Sequence, residues 1–228
     1  MAIFVAANIF LVWASADVGS NIYVKSHCKG HTEERCIALT FDDGPHATNT
    51  AKVLEVLKRH NIRATFFLIG KNVQENPALA REIDEEGHIV ANHTYSHGAT
   101  YPLGNRQKIE REIAACSKAI YSATGRRPRL FRPPFGVTTP GMGRAIRGLN
   151  LSTIGWSIRS YDTMSRPTRE SIVQGILKKL HPGAIILLHD RCDGAEELLE
   201  MLITEATQRG YHFVALDEML NTKVYYED

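Results

Sequence analysis

Short apolar runs alternate along this chain with longer stretches whose apolar positions recur every three or four residues. The first pattern reads as buried strands and the second as amphipathic helices. Strands are predicted at 36–41, 64–69, 88–92, 129–132, 151–157, 184–189 and 211–215. Helices are predicted over 49–60, with Val53, Leu54, Val56 and Leu57 on one face, and from Asn76-Pro77 to a stop at Gly87. Asn105 caps a long helix ending at Gly125 with Ile109, Ile113 and Ile120 on one stripe, and further helices run from Thr168 through Leu180 and from Ala195 to Arg209. Strands interleaved with helices and no break in composition point to one α/β domain built on a parallel sheet. About seven such units suggest a nearly closed barrel, with a doubly wound open sheet as the alternative; in both, ligands bind at the C-terminal ends of the strands.

The ends of the apolar runs carry the chemistry. Cys36-Ile37-Ala38-Leu39 leads into Thr40-Phe41-Asp42-Asp43-Gly44-Pro45, so a buried strand delivers two adjacent carboxylates to its rim before a Gly-Pro turn. Two carboxylates this close repel, and burying them requires a metal or another cation nearby. His93-Thr94-Tyr95-Ser96-His97 follows the strand at 88–92; if that turn is helical, the imidazoles at i and i+4 share a face. Asp43, His93 and His97 would then form a two-histidine, one-carboxylate metal set. Arg132, Asp162 and His189 each stand at or just past other strand ends. His189, taken alone, more often reads as a satisfied core histidine. Polar groups at several separate strand exits are hard to explain as packing.

Composition narrows the setting. The 228 residues are 43% hydrophobic and 23% charged, as in an ordinary globular protein with a sizeable core. A net charge of +2 with interspersed signs offers no footprint for nucleic acid, and Arg126-Arg127-Pro128-Arg129 reads as a solvated helix end. No Cys-x-x-Cys occurs among the four cysteines; Cys28 and Cys36 flank a turn that a disulfide or two free thiols would suit equally, and Cys116 reads as core. Residues 1–16 are uncharged and mostly apolar, too short for a full span and with no basic residue ahead of the apolar run. They read as the remnant of an anchor, which would place the protein at the cell envelope, or as a helix packed on the domain. The division expected is 1–27 as an apolar N-terminal segment and 28–228 as the catalytic domain.

Taken together, T-F-D-D-G-P at 40–45, A-T-F-F-L-I-G at 64–70, G-H-I-V-A-N-H at 87–93, H-T-Y-S-H at 93–97, R-P-P-F-G at 132–136 and L-L-H at 187–189 resemble the polysaccharide deacetylases, carbohydrate esterase family four, also called the NodB-homology domain. The resemblance covers about residues 35–220. It implies a distorted (β/α) barrel and a divalent metal, zinc by family habit, on Asp43, His93 and His97. It further implies Asp42 as general base beside Arg132, and His189 as general acid tuned by Asp162. Leu187 would line the acetyl-methyl pocket and the backbone N–H of Phe135 would hold the oxyanion. The implied reaction is removal of N-acetyl groups from an amino-sugar polymer, peptidoglycan N-acetylglucosamine first and chitin oligosaccharides next. An acetylxylan esterase or a weakly catalytic carbohydrate-binding pseudoenzyme is the alternative. One departure stands out: Thr163 follows Asp162 where the family motif usually has Trp, so an aromatic wall is missing or supplied from elsewhere.

Overall fold

The computed structural model describes residues 1–227. Its strands are β1 (Ser26–His27), β2 (Cys36–Asp42), β3 (Thr65–Leu68), β4 (Ile89–Asn92), β5 (Leu130–Phe131), β6 (Ser152–Ile154), β7 (Ile158–Arg159), β8 (Ala184–His189) and β9 (His212–Phe213). Its helices are α1 (Ala2–Ala16), α2 (Asn49–Arg59), α3 (Gly70–Glu75), α4 (Pro77–Glu85), α5 (Arg106–Thr124), α6 (Pro140–Gly148), α7 (Arg169–Leu177), α8 (Ala195–Gln208) and α9 (Leu216–Leu220). The strands form one parallel sheet in the order β1-β6-β5-β4-β3-β2-β8-β7, with β9 also paired to β2. This is the expected distorted (β/α) barrel. Its open seam is spanned by an antiparallel bridge of Lys29 to Ala184 and by Gly30 N–H donating to Gly183 O at 2.8 Å.

β2 is the centre of the design. All seven of its residues are buried, and successive side chains alternate between the two faces of the sheet. Ile37, Leu39 and Phe41 pack outward with Val53, Leu57, Leu199 and Leu202 of α2 and α8, each such burial contributing roughly 1.5–3 kcal/mol. Ala38 belongs instead to a separate inner cluster with Phe67, Ile185 and Leu216. Small Ala38 and Thr40 leave room inside the barrel, and that room is taken by a polar side chain, Arg132.

α5 starts and stops as the sequence predicts: Asn105 Oδ1 accepts from Lys108 N–H at 2.9 Å, and Gly125 ends the helix at φ 73°. Elements without a sequence signal are β1, β7, α3, α6 and α9. β1 lies inside the segment 1–27, so the sheet begins earlier than the expected domain boundary. The basic cluster is not simply solvated. Arg127 and Arg129 backbone groups clasp the C-terminal segment, Arg129 N–H donating to Val224 O and Tyr226 N–H to Arg127 O. All four cysteines are free thiols, and Cys116 is fully buried.

Among its described side chains, α1 packs at its C-terminal end. Ala14 is buried, its carbonyl accepts from Ser20 and Thr138 hydroxyls, and Ser15 O accepts from Thr138 N–H. Phe4, Ile9 and Val12 are largely exposed. Among the described residues, no helix is long and apolar enough to cross a membrane.

Candidate active site

The carboxyl ends of β2, β4, β5 and β8 meet in one cleft of about 170 Å³. β2 delivers Asp42, the last residue of the strand, facing inward like Thr40; Asp43 follows at φ 75° and turns its carboxylate into the same space. β4 delivers His93. The His93–His97 segment is not helical, contrary to the i, i+4 expectation. Thr94 at φ 67° and His97 at φ 49° fold the chain back instead, and the two imidazole centroids end 4.8 Å apart. Backbone held in this region is costly for side chains other than glycine, and it concentrates where geometry matters more than local stability.

Asp43, His93 and His97 each offer one ligand atom, and these atoms lie within 4.8 Å of one another. His93 Nε2 is 3.6 Å and His97 Nε2 3.5 Å from Asp43 Oδ1. That oxygen is buried and has no hydrogen-bond partner, as suits an atom that ligates a cation. His93 Nδ1 is 2.8 Å from Arg132 O, an acceptor only, so the ring's proton sits on Nδ1 and Nε2 keeps its lone pair for a metal. Burial and neighbouring His93 lower the His97 pKa, favouring the neutral ring a metal requires. Burial alone would raise the Asp43 pKa; His93, the Arg191 hydrogen bond, His97 and His189 outweigh it and hold the group ionised. The donor set therefore fits a divalent ion.

Arg132 is fully buried beneath this cluster. It donates to Asp42 Oδ1 at 2.7 Å, Thr40 Oγ1 at 2.8 Å, Gly155 O at 2.8 Å and Ile154 O at 3.2 Å. Its guanidinium carbon stands 4.1 Å from the Phe67 ring centroid. A buried guanidinium is tolerable only when nearly every donor is engaged, as here. Across the cleft, His189 Nδ1 pairs with Asp162 Oδ1 at 2.7 Å, and Asp162 Oδ2 accepts the His189 backbone N–H at 2.7 Å. Burial would lower the His189 pKa, but the hydrogen bond and charge of Asp162, with Asp42 and Asp43, raise it. His189 Nε2 is thus held toward the carboxylates, 4.0 Å from Asp43 Oδ2.

Leu187 is buried and lines the cleft; Phe135 lines it half-exposed, at φ 61°, in an edge-to-face contact with His97 with ring centroids 4.7 Å apart. Every residue singled out from the sequence thus borders this cleft or supports a group that does. Besides Gly136, quoted only within the R-P-P-F-G motif, three lining residues were not singled out. Trp156 packs beside Gly136, Arg159 stands at the rim, and Arg191 donates through Nε to Asp43 Oδ2 at 2.8 Å. Arg191 stands two positions beyond His189, a position that could have drawn notice. Thr163 also lines the cleft, and the aromatic walls come from Phe135 and Trp156.

Comparison with known proteins agrees with this geometry. The chain is 35% identical over 205 residues to the peptidoglycan-N-acetylglucosamine deacetylase PgdA of Listeria monocytogenes, covering 90% of this chain and 43% of that protein, so it spans less than half of that relative's length. It is 33% identical over 197 residues to the peptidoglycan-N-acetylmuramic acid deacetylase PdaA of Bacillus subtilis, covering 85% and 74%. The crystal structure of the Bc1960 peptidoglycan N-acetylglucosamine deacetylase superposes with a TM-score of 0.82 at 30% identity, covering 87% of this chain and 94% of that one. Residues 29–154 match the family model described as polysaccharide deacetylase, and with the relatives' coverage this settles kinship: the chain belongs to the polysaccharide deacetylase family.

Proposed function

We propose that this protein is a metal-dependent hydrolase that removes N-acetyl groups from an amino-sugar polymer, with peptidoglycan N-acetylglucosamine as first substrate and chitin oligosaccharides as second. The observation that carries the reading is the orphaned Asp43 Oδ1 between two imidazoles, flanked by a carboxylate and a histidine with opposed tasks. Asp43, His93 and His97 hold the ion, which we take to be zinc. A zinc ion with three protein ligands brings the pKa of a coordinated water to about 7 and polarises a carbonyl.

The chain's own groups divide the remaining work. Asp42, kept in place by Arg132, takes the proton of the attacking water as its oxygen bonds to the acetyl carbon. With Nδ1–H donated to Asp162, whose charge favours the imidazolium, His189 carries a second proton on Nε2, and it gives that proton to the departing amine nitrogen as the C–N bond breaks. The Phe135 backbone N–H donates to the carbonyl oxygen as charge builds there, a kind of contact worth roughly 3–4 kcal/mol in comparable acyl-transfer sites. Leu187 receives the acetyl methyl. The products are acetate and a free amino sugar.

The relatives named for peptidoglycan favour a place at the cell envelope, and we infer that α1 contributes to holding the protein there. The catalytic unit is residues 28–228 together with β1, which is part of its sheet. Acetate release from N-acetylglucosamine oligomers and from peptidoglycan strands, with and without a chelator, tests the function. Release that a chelator abolishes and zinc restores supports it; equal release under both conditions overturns the metal-dependent mechanism.

A further inference from the structure

The cleft has one wall whose charge the reaction does not use. Of its carboxylates, Asp42 is bound by Arg132 and Asp43 by Arg191. No other Asp or Glu lines the cleft among the described residues. Arg159 does line it, exposed, on the same cleft as Thr163. No carboxylate is paired with Arg159 among the described residues; its guanidinium carbon instead lies 5.2 Å from the ring centroid of Tyr161. Tyr161 holds a φ of 61°, and Lys179 Nζ stands 5.7 Å from the same ring.

An arginine resting on an aromatic face is oriented without being neutralised. Its planar fork of N–H donors stays available, and that fork matches a carboxylate. Thr163 lines the same cleft with a small side chain, and Arg159 is the exposed charge beside it. Once a divalent ion binds Asp43, the charges lining the cleft sum to a positive value.

Resting on the proposed deacetylase reading, we propose that Arg159 is a specificity residue that selects N-acetylated glycans carrying a carboxylate close to the acetylated sugar. Peptidoglycan strands provide one. Each N-acetylglucosamine there is flanked by a muramoyl unit whose O3 lactyl group ends in a carboxylate, free wherever no stem peptide is attached. Chitin-type chains have no such group. The site therefore prefers peptide-free peptidoglycan strands to neutral oligomers.

The test uses metal-loaded protein and two matched ligands: a short peptide-free peptidoglycan strand with free lactyl carboxylates, and the same strand with those carboxylates methyl-esterified. Affinity is measured by titration calorimetry, so selectivity is decided whether or not acetate is released; acetate release separately decides the deacetylase reading. The wild type is expected to bind the free acid roughly three- to thirtyfold more tightly than the ester, the range for one exposed charge-assisted contact. Raising ionic strength should shrink that ratio. Arg159→Gln should bring it close to one, and Arg159→Lys should restore part of it. Equal affinity of the wild type for the two strands, or a preference that Arg159→Gln leaves intact, overturns the proposal.

Discussion

Arg132 Nη1 lies 2.7 Å from Asp42 Oδ1, and both side chains are buried. This pair joins the folding problem to the catalytic one. The guanidinium fills the space left by Ala38 and Thr40 inside the barrel, and its charge makes an ionised carboxylate tolerable there. Arg132→Met should destabilise the protein by about 3–5 kcal/mol, because it strands the carboxylate without its partner. The double variant Asp42→Asn/Arg132→Met should be less destabilised than Arg132→Met alone. Urea denaturation of the four proteins in the cycle measures the coupling.

Asp42 and Asp43 are neighbours in sequence with separate proposed duties, so their amides should fail differently. Asp42→Asn should lower turnover roughly 10²- to 10⁴-fold, the range for losing a general base, and should keep the metal. Asp43→Asn and His97→Ala should instead lose it, since each removes one of three donors. Metal content after dialysis, read beside acetate release, separates the two outcomes. An Asp42→Asn protein of full activity would assign the base elsewhere.

What the sequence made legible follows from how much local signal each element needs. β2 and β8 announce themselves as apolar runs ending in charge, and α5 carries both a cap and a glycine stop. β1 and β7 are two residues each, with no apolar run of their own; neighbouring strands recruit them. α6 contains Gly141, Gly143 and Gly148, poor helix formers that the tertiary structure requires. A Cβ at Gly143 would fall 2.2 Å from Tyr23 O. The proposed ligands, base and acid were legible because Asp42 and His189 end strands and Asp43, His93 and His97 follow within a few residues of strand ends. Arg191 and Arg159 were not, since an exposed arginine in a loop or at a strand end looks ordinary until the fold turns it toward Asp43 or Tyr161. The spacing of His93 and His97 was informative, but the helical turn that would have explained it does not form; two left-handed residues bring the rings together.

His88 is a buried group outside the site. Its Nδ1 accepts from Ala64 N–H at 3.2 Å, its Nε2 has no partner, and burial pushes its pKa down to about 4. The unfolded chain takes up a proton near pH 6.5 whereas the folded one does so only near 4. The stabilisation from keeping this ring neutral is thus complete above 6.5 and is lost as pH falls toward 4. Without metal, the wild type should lose about 2 kcal/mol more stability between pH 7 and pH 5 than His88→Leu does. Denaturant melts at both pH values measure it; equal losses would mean the ring is not held neutral.

Asp162 and His189 give the last prediction, and it separates tuning from mere positioning. Asp162 touches His189 twice, at the ring and at the backbone, so Asp162→Asn preserves size and some hydrogen bonding while removing charge. With that charge gone, burial is opposed only by Asp42 and Asp43, and the His189 pKa falls. A general acid must be protonated to act, so the high-pH limb of the kcat/KM profile should move to lower pH. Turnover at pH 8 should then fall by a larger factor than turnover at pH 6. A bound cation lowers His189 in both proteins alike, so the difference between the two profiles reports Asp162 itself. Uniform loss at every pH would instead mean that Asp162 only orients the ring, leaving its proton affinity to the two carboxylates of the metal face.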